Sequence, residues 1–128
     1  MKTLQLKRGK EKPVFRKHPW IFSGAFTKLD RSIDAGDWVE VLDSDENFIC
    51  VGHFTPGSIA IRVMSYTKVT DKKAFYTEKI EAAFNYRNSI YLTDEKTNIY
   101  RLIFGEGDAL PGLIVDNYNG HLVIQCHS

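Results

Sequence analysis

Gly36-Asp37-Trp38-Val39-Glu40-Val41-Leu42 is the stretch that decides the fold. Val39 and Val41 fall on one face of an extended chain and Trp38, Glu40 and Leu42 on the other, the two-residue period of a half-buried strand. The polar run Asp43-Ser44-Asp45-Glu46-Asn47 supplies a hairpin loop into Phe48 to Phe54. Thr55-Pro56-Gly57-Ser58 then turns the chain into Ile59 to Met64, where Ile59, Ile61 and Val63 alternate. Upstream, Leu4-Gln5-Leu6 reads as a short first strand, Lys7 to Lys17 has room only for short helical turns around Gly9 and Pro13, and Phe22 to Phe26 leads into a turn. Short strands this closely spaced predict a small barrel or sandwich ending near Tyr66.

Beyond Tyr66 the period changes from two to about 3.6. From Asp71 to Leu92, Tyr76, Ile80, Ala83, Phe84 and Tyr91 share one side of a helix, while Lys72, Lys79 and Glu81 lie mostly away from it. Thr70 or Asp71 is the expected N-cap, and the polar stretch Thr93-Asp94-Glu95-Lys96-Thr97-Asn98 the expected end. Strands return over Ile99 to Phe104, Leu113 to Val115 and Leu122 to Cys126, with Asn119-Gly120 as the tight turn between the last two. The fold class is therefore α+β: a small barrel or sandwich over residues 1–67, then a helix and strands over 68–128. Because Leu122 to Ser128 runs out in or beside a strand, the chain reads as cut from something longer. Its last strand would be an exposed edge that invites a homodimer.

The 128 residues, 43% hydrophobic and 26% charged, have an ordinary globular composition, enough for one compact domain or two small ones. No apolar run approaches the length of a bilayer span or signal sequence, so no membrane partner and a cytoplasmic location are expected. Cys50 and Cys126 sit in apolar runs without metal-site spacing and read as buried free thiols. The net charge of +1 hides an asymmetry: residues 1–20 carry seven basic side chains against the single acid Glu11, whereas from Ser32 onward fourteen acids face eight bases. A polyanion would meet the N-terminal segment first.

Catalytic chemistry has little support. Gly105-Glu106-Gly107-Asp108-Ala109-Leu110-Pro111-Gly112 is glycine-rich and follows a strand, but two carboxylates and a proline stand where a phosphate loop needs Lys, Ser or a helix start. Glu106 and Asp108 read as turn residues. His18, His53, His121 and His127 lack ligand spacing, and neither cysteine has a neighbouring base, so no catalytic residue and no metal site is assigned.

His18-Pro19-Trp20-Ile21-Phe22-Ser23-Gly24, directly after the basic segment, stands out. Lys7, Arg8, Lys10, Lys12, Arg16 and Lys17 are candidate phosphate contacts, and His18 and Trp20 can stack on unpaired bases, a combination suited to single-stranded or loop RNA. The same residues can instead plug a barrel end, with Pro19 fixing the backbone and Trp20, Ile21 and Phe22 buried. The residues alone leave both readings open.

His18 to Ala25, Gly36 to Val41 and Pro56-Gly57-Ser58-Ile59-Ala60-Ile61-Arg62 together resemble the N-terminal part of the ribosomal RNA large-subunit cytosine-C5 methyltransferase I family. Arg101 to Asp116 is similar to that family's Gly-Glu-x-Asp-Gly-Leu-Pro-Gly-Leu segment, with Ala109 where the family usually has Gly; Thr55 likewise stands where Asn commonly precedes the Pro. The resemblance implies a PUA-like RNA-binding domain, a β pseudo-barrel, over 1–67 and the N-terminal portion of a mixed α/β central domain over 68–128, truncated before any methyltransferase domain. It adds Arg62, on an outward strand face, to the RNA-binding candidates. It implies ribosomal RNA as partner and S-adenosylmethionine as cofactor of the parent transferase, with no cofactor in this chain, which is expected to be inactive by itself. The alternative is a stand-alone PUA-type RNA-binding or ribosome-associated module without enzymatic activity.

Overall fold

In the computed structural model residues 1–90, 95–96 and 98–127 are described, and they form two compact units, Met1–Val69 and Thr70–His127. In the first, β1 (Lys2–Gln5), β2 (Trp20–Phe22), β3 (Trp38–Leu42), β4 (Phe48–Phe54) and β5 (Ile59–Ser65) make one five-stranded sheet in the order β1-β3-β4-β5-β2. β1 runs parallel to β3 and the other pairs are antiparallel. The two edge strands lead into segments that close the sheet on itself. Leu6 bridges Phe26, the Lys7 amide donates to the Ala25 carbonyl at 2.8 Å and the Thr27 amide to the Gln5 carbonyl at 3.1 Å. This closure satisfies backbone groups that an open sheet would leave to solvent, and makes the unit a pseudo-barrel.

The barrel core follows the expected alternation in β3, where Val39 and Val41 are fully buried and Trp38, Glu40 and Leu42 half-buried. β5 departs from it, burying Ala60 with Ile61 and Val63 with Met64. Two register shifts break the strict two-residue period: the β4–β5 ladder passes from Val51–Ser65 to Gly52–Val63 and skips Met64, and the β2–β5 ladder passes from Ile21–Ile61 to Phe22–Ile59 and skips Ala60. At Gly52 the strands approach so closely that a Cβ would lie 2.4 Å from the Arg62 carbonyl oxygen.

The second unit opens with α2 (Lys72–Ser89), capped by Asp71, whose carboxylate accepts from the Ala74 amide at 3.0 Å. The sheet β6 (Ile99–Phe104), β7 (Leu113–Tyr118) and β8 (His121–Cys126) is antiparallel in chain order. Asn119 and Gly120, at φ 51° and 86°, form the tight β7–β8 turn, both central residues having the positive φ that a primed turn requires. Two expectations are corrected. Ala83 and Arg87 are the buried residues of α2, while Ile80 and Phe84, assigned to its inner face, are 39% and 44% exposed. The helix meets its sheet through a small residue and a guanidinium rather than through an aromatic stripe. Cys126 is exposed rather than buried, because β8 is a sheet edge that stays exposed along its whole length; Cys50 is buried. Tyr91 and Leu92, the expected helix end at Thr93, Asp94 and Thr97, and Ser128 lie outside the described residues.

Candidate nucleic-acid interface

The site is built around α1 (Lys12–Phe15), a four-residue helix with Pro13 in its first turn. The His18 amide donates to the Pro13 carbonyl at 3.0 Å and the Lys17 amide to the Val14 carbonyl at 2.9 Å, the paired bonds of a Schellman ending. Lys17 takes the left-handed position at φ 64° that glycine usually fills. Its ammonium sits 3.9 Å from the centroid of the Tyr66 ring, whose hydroxyl donates to the His18 carbonyl at 3.3 Å. Burial, with a smaller contribution from Cys50, raises the Tyr66 pKa and keeps that donor protonated. Cys50 is itself pushed up to about 12 by burial, which leaves it an unreactive thiol.

The chain leaves this turn through Pro19 into β2. His18 Nδ1 lies 3.0 Å from the Trp20 carbonyl oxygen and 3.2 Å from the Trp20 amide nitrogen, so the ring is fixed against the start of β2. The rings of His18 and Trp20 meet edge-on at 6.1 Å, and those of His18 and Phe22 lie 6.4 Å apart. The barrel-plug reading holds for one residue of three: Ile21 is buried, Trp20 is half-buried and Phe22 is 50% exposed. Between α1, β2 and the 3-10 turn Ser23–Ala25 lies a pocket of about 480 Å³ bounded mainly by Pro13, Val14, Trp20, Ile21 and Phe22, with Lys10 and His18 contributing polar groups. Its size and apolar walls suit a flat aromatic group.

The basic candidates divide. Lys10, Lys12 and Arg16 are exposed around α1 and the pocket. Lys7 donates to the Gly24 carbonyl at 3.0 Å, beside the pocket wall. Arg8 reaches away to Asp45 at 3.2 Å, an ion pair exposed on both sides. Arg62 on β5 pairs in register with Trp20, its guanidinium carbon 5.9 Å from the indole centroid. The structure thus brings Lys10, Lys17, His18, Trp20 and Arg62 toward one face and adds Phe22 and Tyr66. Tyr66 carried no sequence signal beyond marking the barrel's end.

In the second unit, Gly105–Asp108 is a 3-10 turn ending at Ala109 in the left-handed region, and the chain continues into a strand. Asp108 is held by Arg87. This turn does not fit a nucleoside cofactor, which needs a glycine turn opening a helix and a carboxylate left for the ribose.

A barrel that closes through Leu6 and Phe26, followed by a helix and a three-stranded sheet, defines the class: residues 4–66 match the family model of the PUA-like domain. Over 124 residues, 95% of its length, the chain is 35% identical to the ribosomal RNA large subunit methyltransferase I of Escherichia coli (strain SMS-3-5 / SECEC) and to that of Salmonella arizonae. It spans about 30% of the length of these relatives, and resembles their N-terminal part. Its whole length also superposes on 34% of a Streptococcus mutans protein described as a SAM-dependent methyltransferase, with a TM-score of 0.81 at 18% identity. A second methyltransferase structure, complexed with SAH, gives a TM-score of 0.82 at the same identity. These two establish a shared fold. No helix among the described residues is long and apolar enough to cross a membrane.

Proposed function

We propose that the first unit binds single-stranded or looped ribosomal RNA and presents it for cytosine-C5 methylation, with S-adenosylmethionine as the methyl donor of the whole protein. The observation that carries this reading is the apolar pocket beside His18 and Trp20 inside a segment with seven basic side chains and one acid. An unstacked base can enter such a pocket against aromatic walls while Lys10, Lys12, Arg16 and Lys17 meet the flanking phosphates. The methyltransferase relatives support ribosomal RNA as the polyanion, and a ribosomal partner places the protein's work in the cytoplasm. The methyl transfer itself belongs to sequence outside these two units.

Binding of a labelled single-stranded RNA across a salt series tests the proposal. Affinity should fall with salt on a log-log slope of several units, at about 0.7 per phosphate contact. Reversing Lys10, Lys12, Arg16 and Lys17 to Glu should abolish binding. Salt-independent binding, or an unaffected quadruple variant, would overturn the assignment.

A further inference from the structure

Trp38, His53, Arg62 and Trp20 form one transverse row on the outer face of the first unit's sheet. Trp38 pairs with His53 across β3 and β4, His53 with Arg62 across β4 and β5, and Arg62 with Trp20 across β5 and β2. Directly opposed residues of antiparallel strands share a face. All four are half-buried, whereas their chain neighbours Val39, Phe54, Ile61 and Ile21 are buried in the core. At about 4.8 Å between strands the row is about 14 Å long. Its members touch: the Trp38 and His53 rings meet edge-on at 5.1 Å, and the Arg62 guanidinium carbon lies 5.9 Å from the Trp20 centroid. At the Trp20 end the row continues into His18 and the pocket.

Both tryptophans of the chain are in this row, one at each end, with a cation between them. A single-stranded nucleic acid offers the matching alternation of base faces and phosphates. The distribution of charge also sets a direction. Glu40 is two residues from Trp38 on the same face of β3 and disfavours a phosphate there, so that end suits a base, and Arg62 is the position for a phosphate.

We propose that the row is the path of single-stranded RNA beyond the pocket, with Trp38 as a distal stacking platform, His53 flanking it and Arg62 on the intervening phosphate. This rests on the RNA-binding reading above and adds Trp38 and His53 to it. The pocket holds one base, and the row holds the next part of the strand against the sheet.

The test is fluorescence anisotropy of the 128-residue chain with a short labelled single-stranded RNA of mixed sequence. Trp38→Ser should weaken binding roughly tenfold without changing the salt slope, and Trp38→Phe should retain most of the affinity. Arg62→Gln should reduce the slope by about 0.7. Trp38→Leu, which keeps apolar bulk on the strand and lacks the aromatic face, should behave like Trp38→Ser and guards against a variant that fails to fold. In Trp20→Phe, Trp38 is the sole tryptophan, and its emission should be quenched on RNA addition. Wild-type affinity in both Trp38→Ser and Trp38→Leu, or an unquenched Trp38, overturns the row while leaving the pocket intact. Failure of the wild-type chain to bind any single strand overturns both.

Discussion

Arg87 of α2 holds Asp108 through both terminal nitrogens: Nη2 donates to Oδ2 at 2.7 Å and Nη1 donates to Oδ1. Nε of the same guanidinium donates to the Arg101 carbonyl at 3.1 Å, and Asp108 Oδ2 also accepts the Phe104 amide at 2.7 Å. One buried ion pair therefore ties α2 to β6 and to the glycine-rich turn. Burial raises the Asp108 pKa, but the hydrogen bonds from Arg87 and Phe104 and the charge of Arg87 outweigh it and hold the carboxyl below its ordinary value.

Asp108→Asn keeps the side chain's shape but leaves the Arg87 charge buried without its counterion, and should cost the second unit about 3–5 kcal/mol in urea unfolding. Because the folded pKa is depressed, the pair's contribution is complete above the unfolded value of about 3.9 and is lost as pH falls through the folded value. Wild-type stability should therefore drop in acid, and Asp108→Asn should lack that component. Equal unfolding midpoints for the two proteins at pH 7 would show that the pair stabilises nothing.

Ala109 ends the Gly105–Asp108 turn at φ 54° and ψ 35°, a left-handed conformation that costs a residue with a Cβ about 1–2 kcal/mol. Glycine removes this cost but brings a more flexible unfolded chain, which offsets part of the gain. Ala109→Gly should therefore raise stability by about 0.5–1 kcal/mol, and Ala109→Val should lower it. Thermal melts of the three proteins decide this, and a lower melting temperature for Ala109→Gly would refute it.

The barrel strands were legible because each carries its own periodicity, as Val39 and Val41 do in β3. The parallel β1–β3 pairing and the Leu6–Phe26 closure were not, since periodicity marks a strand but does not name its partner. Ile80 and Phe84 misled for a related reason: helical spacing shows that apolar residues align, not that a neighbour covers them. Arg87 is buried because Asp108, far along the chain, folds back to meet it. His18 and Trp20 were visible as an aromatic group beside positive charge. The pocket was hidden by Lys17, which holds a left-handed turn where glycine would have signalled one. The two-residue period put Trp38 on the strand face opposite Val39 and Val41, but its alignment with His53, Arg62 and Trp20 depends on the register of four strands, β2 to β5.

Gly52 sets the spacing of β4 and β5 beneath that row. A Cβ here would lie 2.4 Å from the Arg62 carbonyl oxygen and 2.6 Å from Ile61 Cγ2, and backbone cannot move aside as a flexible side chain can. Gly52→Ala should lower stability by about 1–3 kcal/mol or more and, by displacing Arg62 from Trp20, weaken RNA binding even where the protein remains folded. Denaturation paired with the RNA titration separates the two effects. Unchanged stability would show that the strands can part at this point without cost.

β8 bears on association. Leu122, Val123 and Ile124 are 56%, 46% and 60% exposed, and the outer edge of β8 pairs with no strand among the described residues. The strand has no proline, no lysine and no register shift, the usual guards of an edge. Ile124 lies opposite Val115, which in turn lies opposite Ile103, so β8 carries a buried apolar row out into solvent. Two copies pairing β8 antiparallel about a two-fold axis at Ile124 would join their rows into one sheet. Sedimentation should then show a concentration-dependent dimer that Ile124→Lys returns to monomer, because a charge would sit at the axis facing its own copy. Val123→Lys is the weaker variant, since Val123 lies opposite Asp116 and off the apolar row of Ile124, Val115 and Ile103. A wild-type chain that remains monomeric at high micromolar concentration would eliminate β8 pairing.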